Sequence, residues 1–266
     1  MLCFAAFTPH SPLLIDSVGR ENKKQVLQTL HALQELSDEL YASFPEVILV
    51  ISSHNTIHTQ AFSANLHDTY TISFQEFGDL STHKTVKPDL ELITAIQREA
   101  RRQEIPFLLT SQETLDYGTG VPLLLLCQDR LHPSIVPVSY SGMDRKAHMA
   151  FGRLLQEVIK KSPKRIAVVA SGDLAHCLNS DAPMGFRKEG EQFDQMVLHA
   201  TQELSLSTLL SFDEAILEQA AECSFRPLLI LFGLLERMNI RPEIRSYEFP
   251  FGVGYLVAQF HLKSPV

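Results

Sequence analysis

The sequence has no excess of basic charge. Its 266 residues carry 23 Lys and Arg against 31 Asp and Glu, a formal net charge of −8 and a pI of about 5.8. A general nucleic-acid binder shows a basic face that lifts the pI above ~9, so that class is set aside. No apolar run approaches the ~20 residues a membrane crossing needs; Val121–Cys127 and Leu228–Phe232 are among the longest. The opening MLCFAAFTPH has a short apolar run with no basic stretch ahead of it, which makes a poor secretory signal. Cys3, Cys127, Cys177 and Cys223 are scattered and form no CxxC pair. That spacing reads as reduced thiols in a cytoplasmic protein rather than a disulfide framework. There is no GxGxxG after a strand, no P-loop and no HExxH, and Ser171 in ASGD lacks the GxSxG elbow of a serine hydrolase. Without a repeat, a low-complexity segment or a Ser/Gly-rich linker, 1–266 reads as a single domain.

What remains is average globular usage, 45% hydrophobic and 20% charged, in a chain long enough to bury roughly three quarters of its unfolded surface. Short, continuous, β-branched runs predict strands covered on both faces at Cys3–Thr8, Val47–Ser52, Ile135–Ser139, Ile166–Ala170 and Gly254–Phe260. Helical spacing predicts helices within Glu21–Ser43, after Pro88 (Leu90, Ile93, Ile96) and beyond Asp144 (Phe151, Leu155, Val158). Gln192–Leu204, Asp213–Ala220 and a stretch from Pro227 are further helices. Strand and helix alternate, so the expected fold is α/β: a central, mostly parallel sheet with helices on both faces. The less regular Leu66–Lys87 region reads either as a surface excursion over the sheet or as a hairpin with a loop, and loops of that length often serve as lids or binding elements.

Three histidines occupy one kind of place. His10 follows the first strand in FTPHSPLL, His54 the second in VISSHN, and His176 the fourth in VVASGDLAHCL. Catalytic and ligand-binding groups of open α/β sheets gather at the carboxyl ends of the strands, so the three can meet despite their separation in sequence. Pattern alone does not name a metal.

The pieces PHSPLLI, SSH, DYGTGVPL, ASGDLAH and ECSFRPLLILFG, with the closing SYEFPFGVGYLVA, resemble in the same order the class III extradiol ring-cleavage dioxygenases of the protocatechuate 4,5-dioxygenase catalytic-chain type. The resemblance implies a single catalytic domain with non-haem Fe(II) held by two histidines and a carboxylate; His10, His54 and Glu222 match these positions. Such a facial triad leaves coordination positions open for a substrate and O2, and zinc is the expected substitute in purified protein. His176 matches the acid/base histidine, whose near-neutral intrinsic pKa suits proton transfer. Asp173 reads as a helix cap, with orienting a neighbouring group of the site as the alternative. Tyr117 stands where many ring-cleaving relatives have histidine; a phenol there donates a hydrogen bond to substrate or oxygen but is a poor base.

The implied partners are a small aromatic diol and O2. A homo-oligomer is expected only because symmetric dimers are common. Arg226 is a candidate for a substrate carboxylate by its nearness in sequence to Glu222, with an exposed salt-bridging role as the alternative. The related Memo family has a similar run of motifs and uses a cysteine in place of the carboxylate. Because Cys223 lies beside Glu222, a Memo-like metal-binding protein with a signalling or redox role and no ring cleavage is the second reading. The PHSPLL and ECSFRP contexts resemble the dioxygenases more closely.

Overall fold

The computed structural model describes residues 1–263. Its strands are β1 (Leu2–Thr8), β2 (Val47–Ser52), β3 (Phe62–Asn65), β4 (Tyr70–Phe74), β5 (Asp79–Val86), β6 (Phe107–Thr110), β7 (Ser134–Ser139), β8 (Ile166–Ser171), β9 (Ile240–Glu248) and β10 (Tyr255–Leu262). The helices are α1 (Asp16–Gly19), α2 (Leu27–Ala42), α3 (Leu90–Arg102), α4 (Tyr117–Cys127), α5 (Arg145–Lys161), α6 (Lys188–Gln202), α7 (Leu206–Leu210), α8 (Glu214–Ala220) and α9 (Phe225–Leu235). Eight strands form one sheet in the order β6-β3-β7-β2-β8-β1-β10-β9, and β4 pairs with β5 as a separate hairpin. The central β7, β2, β8 and β1 are parallel, whereas β10 runs antiparallel to both β1 and β9.

Successive residues of a strand point to opposite faces, and here both faces are covered. Val47, Leu49 and Ile51 of β2 face a core built with α3, α5, α6 and α9. Ile48 and Val50 face a second core built with α2, α4 and the hairpin residues Tyr70, Ile72 and Phe74. This is why the central strands read as unbroken apolar runs: every position gains the ~1.5–3 kcal/mol of a buried aliphatic side chain.

Helix boundaries follow local chemistry. The Asp144 side chain caps α5 by accepting from the Ala147 N–H at 2.8 Å. The helix stops at Ser162, which is extended ahead of Pro163. Asp89 caps α3 in the same way, so Pro88 sits just outside the helix rather than in its first turn. The Leu66–Lys87 region resolves as the β4–β5 hairpin packed on α4, the second of its two readings. Among the described residues no helix is long and apolar enough to cross a membrane.

Candidate metal centre

Because β1, β2 and β8 run parallel, their carboxyl ends open on one edge of the sheet, where the segments that follow them converge. His10 arrives from β1 and is buried. Its backbone N–H donates to Asp173 Oδ1 at 2.9 Å, and its ring Nδ1 lies 2.9 Å from Ser171 Oγ. Ser171 donates its own hydroxyl hydrogen to the Gly118 carbonyl at 2.6 Å, so it accepts from Nδ1–H of the imidazole. The tautomer is thereby set, and the lone pair on Nε2 faces the cluster.

His54 arrives from β2 with Nε2 3.0 Å from Nε2 of His10. Its backbone N–H donates to Ser52 Oγ at 3.2 Å, and Ser52 in turn donates to Asp116, the residue that caps α4. A Cβ at position 118 would come within 2.5 Å of Ser52 Oγ, so glycine there lets α4 start against the end of β2. That contact delivers Tyr117, the first residue of α4, onto the His54 ring: the two stack with centroids 4.2 Å apart. Phe77, in the turn between β4 and β5, meets the Tyr117 ring edge-on at 5.3 Å.

The third member is Cys223. Its Sγ lies 3.3 Å from His10 Nε2 and accepts from the Asp173 N–H at 3.2 Å, while its own N–H donates to the Asp173 carbonyl. Gly172 permits this approach, since a Cβ there would lie 2.6 Å from Ser224 Cα. The ligand atoms of His10, His54 and Cys223 all lie within 4.8 Å of one another. Donors around one tetrahedral cation with nitrogen and sulfur ligands are separated by about 3.3–3.6 Å, and the 3.0 and 3.3 Å from His10 Nε2 to His54 and Cys223 lie close to this.

The electrostatics fit a cation. Burial, with the charges of His54 and His176, holds the His10 imidazole well below its ordinary range. Desolvation, with the charge of His176, brings His54 down to about 4. Both rings thus favour the neutral form, the one that can ligate a metal. Burial, with the carboxylates of Asp173 and Glu222, pushes the Cys223 thiol well up. A bound metal reverses that last effect, because its charge favours the thiolate. Two imidazole lone pairs and a sulfur facing one another are a donor set that a metal satisfies.

Glu222, expected as the third ligand, is not in this group. Its Oε2 accepts from the Ser224 N–H and the Phe225 N–H, both at 2.6 Å, and from Ser224 Oγ at 3.2 Å. The start of α9, with its unpaired N–H groups, holds the carboxylate. Its side chain lines a separate cavity of about 590 Å³ shared with Arg145, Lys146, His148 and Arg226. Arg226 itself is exposed, its guanidinium 5.4 Å from the centroid of the Tyr140 ring. Sequence reasoning carried Cys223 as the ligand of the second, Memo-like reading and ranked it behind Glu222; a further signal for it lay in Gly172, whose missing side chain makes room for residues 223–224.

His176 is brought to the same edge, near enough for its charge to act on both His10 and His54. Its Nδ1 is buried without a hydrogen-bond partner. Asp173 does not cap a helix: it holds the backbone of His10 and Cys223, and burial raises its carboxyl to about 7.

Fold and site together define an α/β protein with a candidate metal centre at the carboxyl edge of its sheet. Residues 4–258 match the family described as the catalytic LigB subunit of aromatic ring-opening dioxygenase, and the chain belongs to that family. It is 27% identical over 265 residues to protein CA_C1420 of Clostridium acetobutylicum, covering 96% of this chain and 57% of that relative; the chain thus spans little more than half of the relative's length. It superposes with a TM-score of 0.70 on the crystal structure of uncharacterized protein JW3007 from Escherichia coli K12. The two share 19% identity, and the match covers 97% of this chain and 99% of the other, a likeness of fold.

Proposed function

We propose that residues 1–266 form one catalytic unit that opens the ring of an aromatic vicinal diol with O2, using a single non-haem Fe(II) bound by His10 and His54. The observation that carries this reading is the pair of neutral imidazoles with Nε2 atoms 3.0 Å apart at the carboxyl edge, in a chain of the ring-opening family. Cys223 is the nearest third donor, with the expected ligand Glu222 one residue away at the start of α9. When bound, the ferrous ion supplies the redox chemistry that joins O2 to the ring. Zinc is the expected occupant when iron is lost.

The chain's own residues bind, orient and move protons. Ser171 holds His10 in the tautomer that presents Nε2. His176, whose pKa burial lowers, takes the proton of a substrate hydroxyl. Tyr117 donates a hydrogen bond towards the bound diol, and Phe77 packs edge-on against its ring. Four unpaired cysteines fit a reducing, cytoplasmic setting.

The position of Cys223 favours a second reading. A thiolate is a soft ligand that suits copper or zinc better than Fe(II), as in a Memo-like metal-binding protein with a redox or signalling role and no ring cleavage. One experiment separates the two. The protein is loaded with Fe(II) without oxygen, given a panel of catechols and then exposed to air. Ring opening gives oxygen uptake matched to a yellow semialdehyde, and this product forms slowly or not at all in His176→Phe with its iron retained. Catecholate binding without oxygen uptake across the panel selects the second reading.

A further inference from the structure

We propose that the Ser53 hydroxyl and the Asp173 N–H form a cradle for the sulfur of Cys223 in its metal-bound, thiolate form, which makes Ser53 a positioning residue of the centre. This rests on the metal reading above and extends it to a residue outside the donor set. Ser53 stands between His54 and Ser52, whose Oγ accepts from the His54 backbone N–H. It is 4% exposed, and its Oγ has no hydrogen-bond partner among the described residues. A buried hydroxyl left without a partner costs stability, so what lies beside it shows what it serves. Cys223 lies beside it. Burial, then the charges of Asp173 and Glu222, raise the Cys223 thiol, and two nearby donors oppose them, the Asp173 backbone and the Ser53 hydroxyl.

The first of these donors is already in place. The Asp173 N–H reaches Cys223 Sγ at 3.2 Å, and Gly172 lets the two segments approach this closely. In the metal-free chain the sulfur keeps its proton and donates it to the Asp173 carbonyl at 3.4 Å. A neutral thiol is a weak acceptor, which is why the Ser53 hydroxyl makes no bond to it. When a metal binds, the thiol proton passes to solvent, the metal–sulfur bond forms and the sulfur becomes anionic. An anionic sulfur accepts from both donors, and such charge-assisted bonds are roughly twice as strong as neutral ones. Hydrogen bonds around a cysteine sulfur also draw electron density from it and so tune the metal. The result is a harder third donor, nearer in character to the carboxylate expected at this place.

The test is an anaerobic Co(II) titration of the reduced, metal-free full-length chain, with bound cobalt counted in parallel. A thiolate bound to cobalt gives a charge-transfer band in the near ultraviolet, and a chain without tryptophan leaves that region clear. The expected result is one equivalent of cobalt with this band. Ser53→Ala moves the band to lower energy, because the sulfur then holds its electrons less tightly. It also weakens cobalt binding about 10-fold, the lower end of an outer partner's usual effect. Its metal-free form is at least as stable to denaturant as the wild type, since the hydroxyl removed had no bond to lose. Ser139→Ala deletes another buried hydroxyl without a partner and leaves the band where it was. A band unmoved by Ser53→Ala, or moved equally by Ser139→Ala, overturns the proposal and leaves Cys223 as a ligand. One equivalent of cobalt with no thiolate band overturns it and leaves the two histidines. No cobalt binding by the wild-type chain overturns the metal reading as well.

Discussion

The two edges of the parallel sheet carry charged groups in opposite ways. At the amino edge, a cavity of about 280 Å³ lies between α3 and the end of α5, lined by Asp89, Glu91, Glu99, Lys161 and Lys164. Those five charges are paired: Lys164 bridges Asp89 and Glu91, both at 2.7 Å, and Lys161 reaches Glu99 at 3.2 Å. At the carboxyl edge, His10, His54, Cys223 and Tyr117 turn their polar atoms towards one another, and the Nδ1 of His176 has no partner. Charges that neutralise one another in pairs need no further partner, even with Asp89 and Glu99 buried. Donor atoms that converge on one another, buried His10 among them, are satisfied by a shared ligand. The first edge holds neutralised charge, and the second holds the candidate metal centre.

The largest expected effect lies within the carboxyl edge itself, at two adjacent residues with opposite surroundings. Cys223→Ser replaces a soft donor by a weak one and lowers metal affinity by about 100-fold or more, judged against outer-partner losses of roughly 10–100-fold. Glu222→Gln keeps one equivalent of metal and instead weakens the start of α9, by about 0.5–2 kcal/mol in unfolding experiments, the usual worth of a helix cap. Equilibrium metal titration and denaturant unfolding of both variants read the two effects separately. If Glu222→Gln loses the metal and Cys223→Ser keeps it, the carboxylate is the ligand and the cluster rearranges on binding.

That reversal of neighbours also marks where the sequence stops being legible. Strands β1, β2, β7, β8 and β10 were readable because they are covered on both faces, which leaves an apolar signature. The flanks of the sheet were not. β3 and β6 are four residues each, and β9, at one edge, mixes charged residues with apolar ones and contains Pro242. An edge strand tolerates both, and neither looks like a strand. In the site, His10, His54 and His176 were visible as polar residues just past apolar strands. The choice between Glu222 and Cys223 depends on how the entry to α9 meets Gly172, a contact between distant segments that no local pattern encodes. Tyr117 was visible as a departure from the family motif, but its place beside His54 follows from the Ser52–Asp116 link.

A middle-sized effect separates buried from paired carboxylates. Asp194 of α6 is fully buried beside the site: it accepts from the Ala175 N–H at 2.9 Å and from the Tyr247 hydroxyl at 2.7 Å. Burial raises its carboxyl to about 7. A raised pKa means that the folded state keeps its proton where the unfolded chain has lost it. The group's contribution is therefore complete below about pH 4 and is lost as pH rises through 7, at about 1.4 kcal/mol per pH unit in that window. Asp194→Asn removes this slope. Denaturant unfolding at steps between pH 4 and 8 should show the variant's stability changing less steeply than that of the wild type; parallel curves would mean that Asp194 is ionised in the fold.

The smallest effect belongs to the amino edge and has the opposite sign. Arg102, then Gln103 and Lys161, hold the Glu99 carboxyl down to about 2. A lowered pKa means that the folded state sheds its proton first, so the contribution is present above the ordinary carboxylate range and is lost as pH falls from about 4.5 towards 2. Because Arg102 is mostly solvent-exposed, screening keeps the contribution small, and Glu99→Gln should lower Tm by no more than about 2–4 °C at pH 7. The gap between variant and wild type should close as pH is lowered from about 4.5 towards 2 and shrink in high salt. Thermal melts at pH 7, 4 and 2.5, each at low and high salt, measure this directly. A gap that persists unchanged at pH 2.5 would show that Glu99 acts through packing, and the contrast between the two edges would then lie in shape rather than in charge.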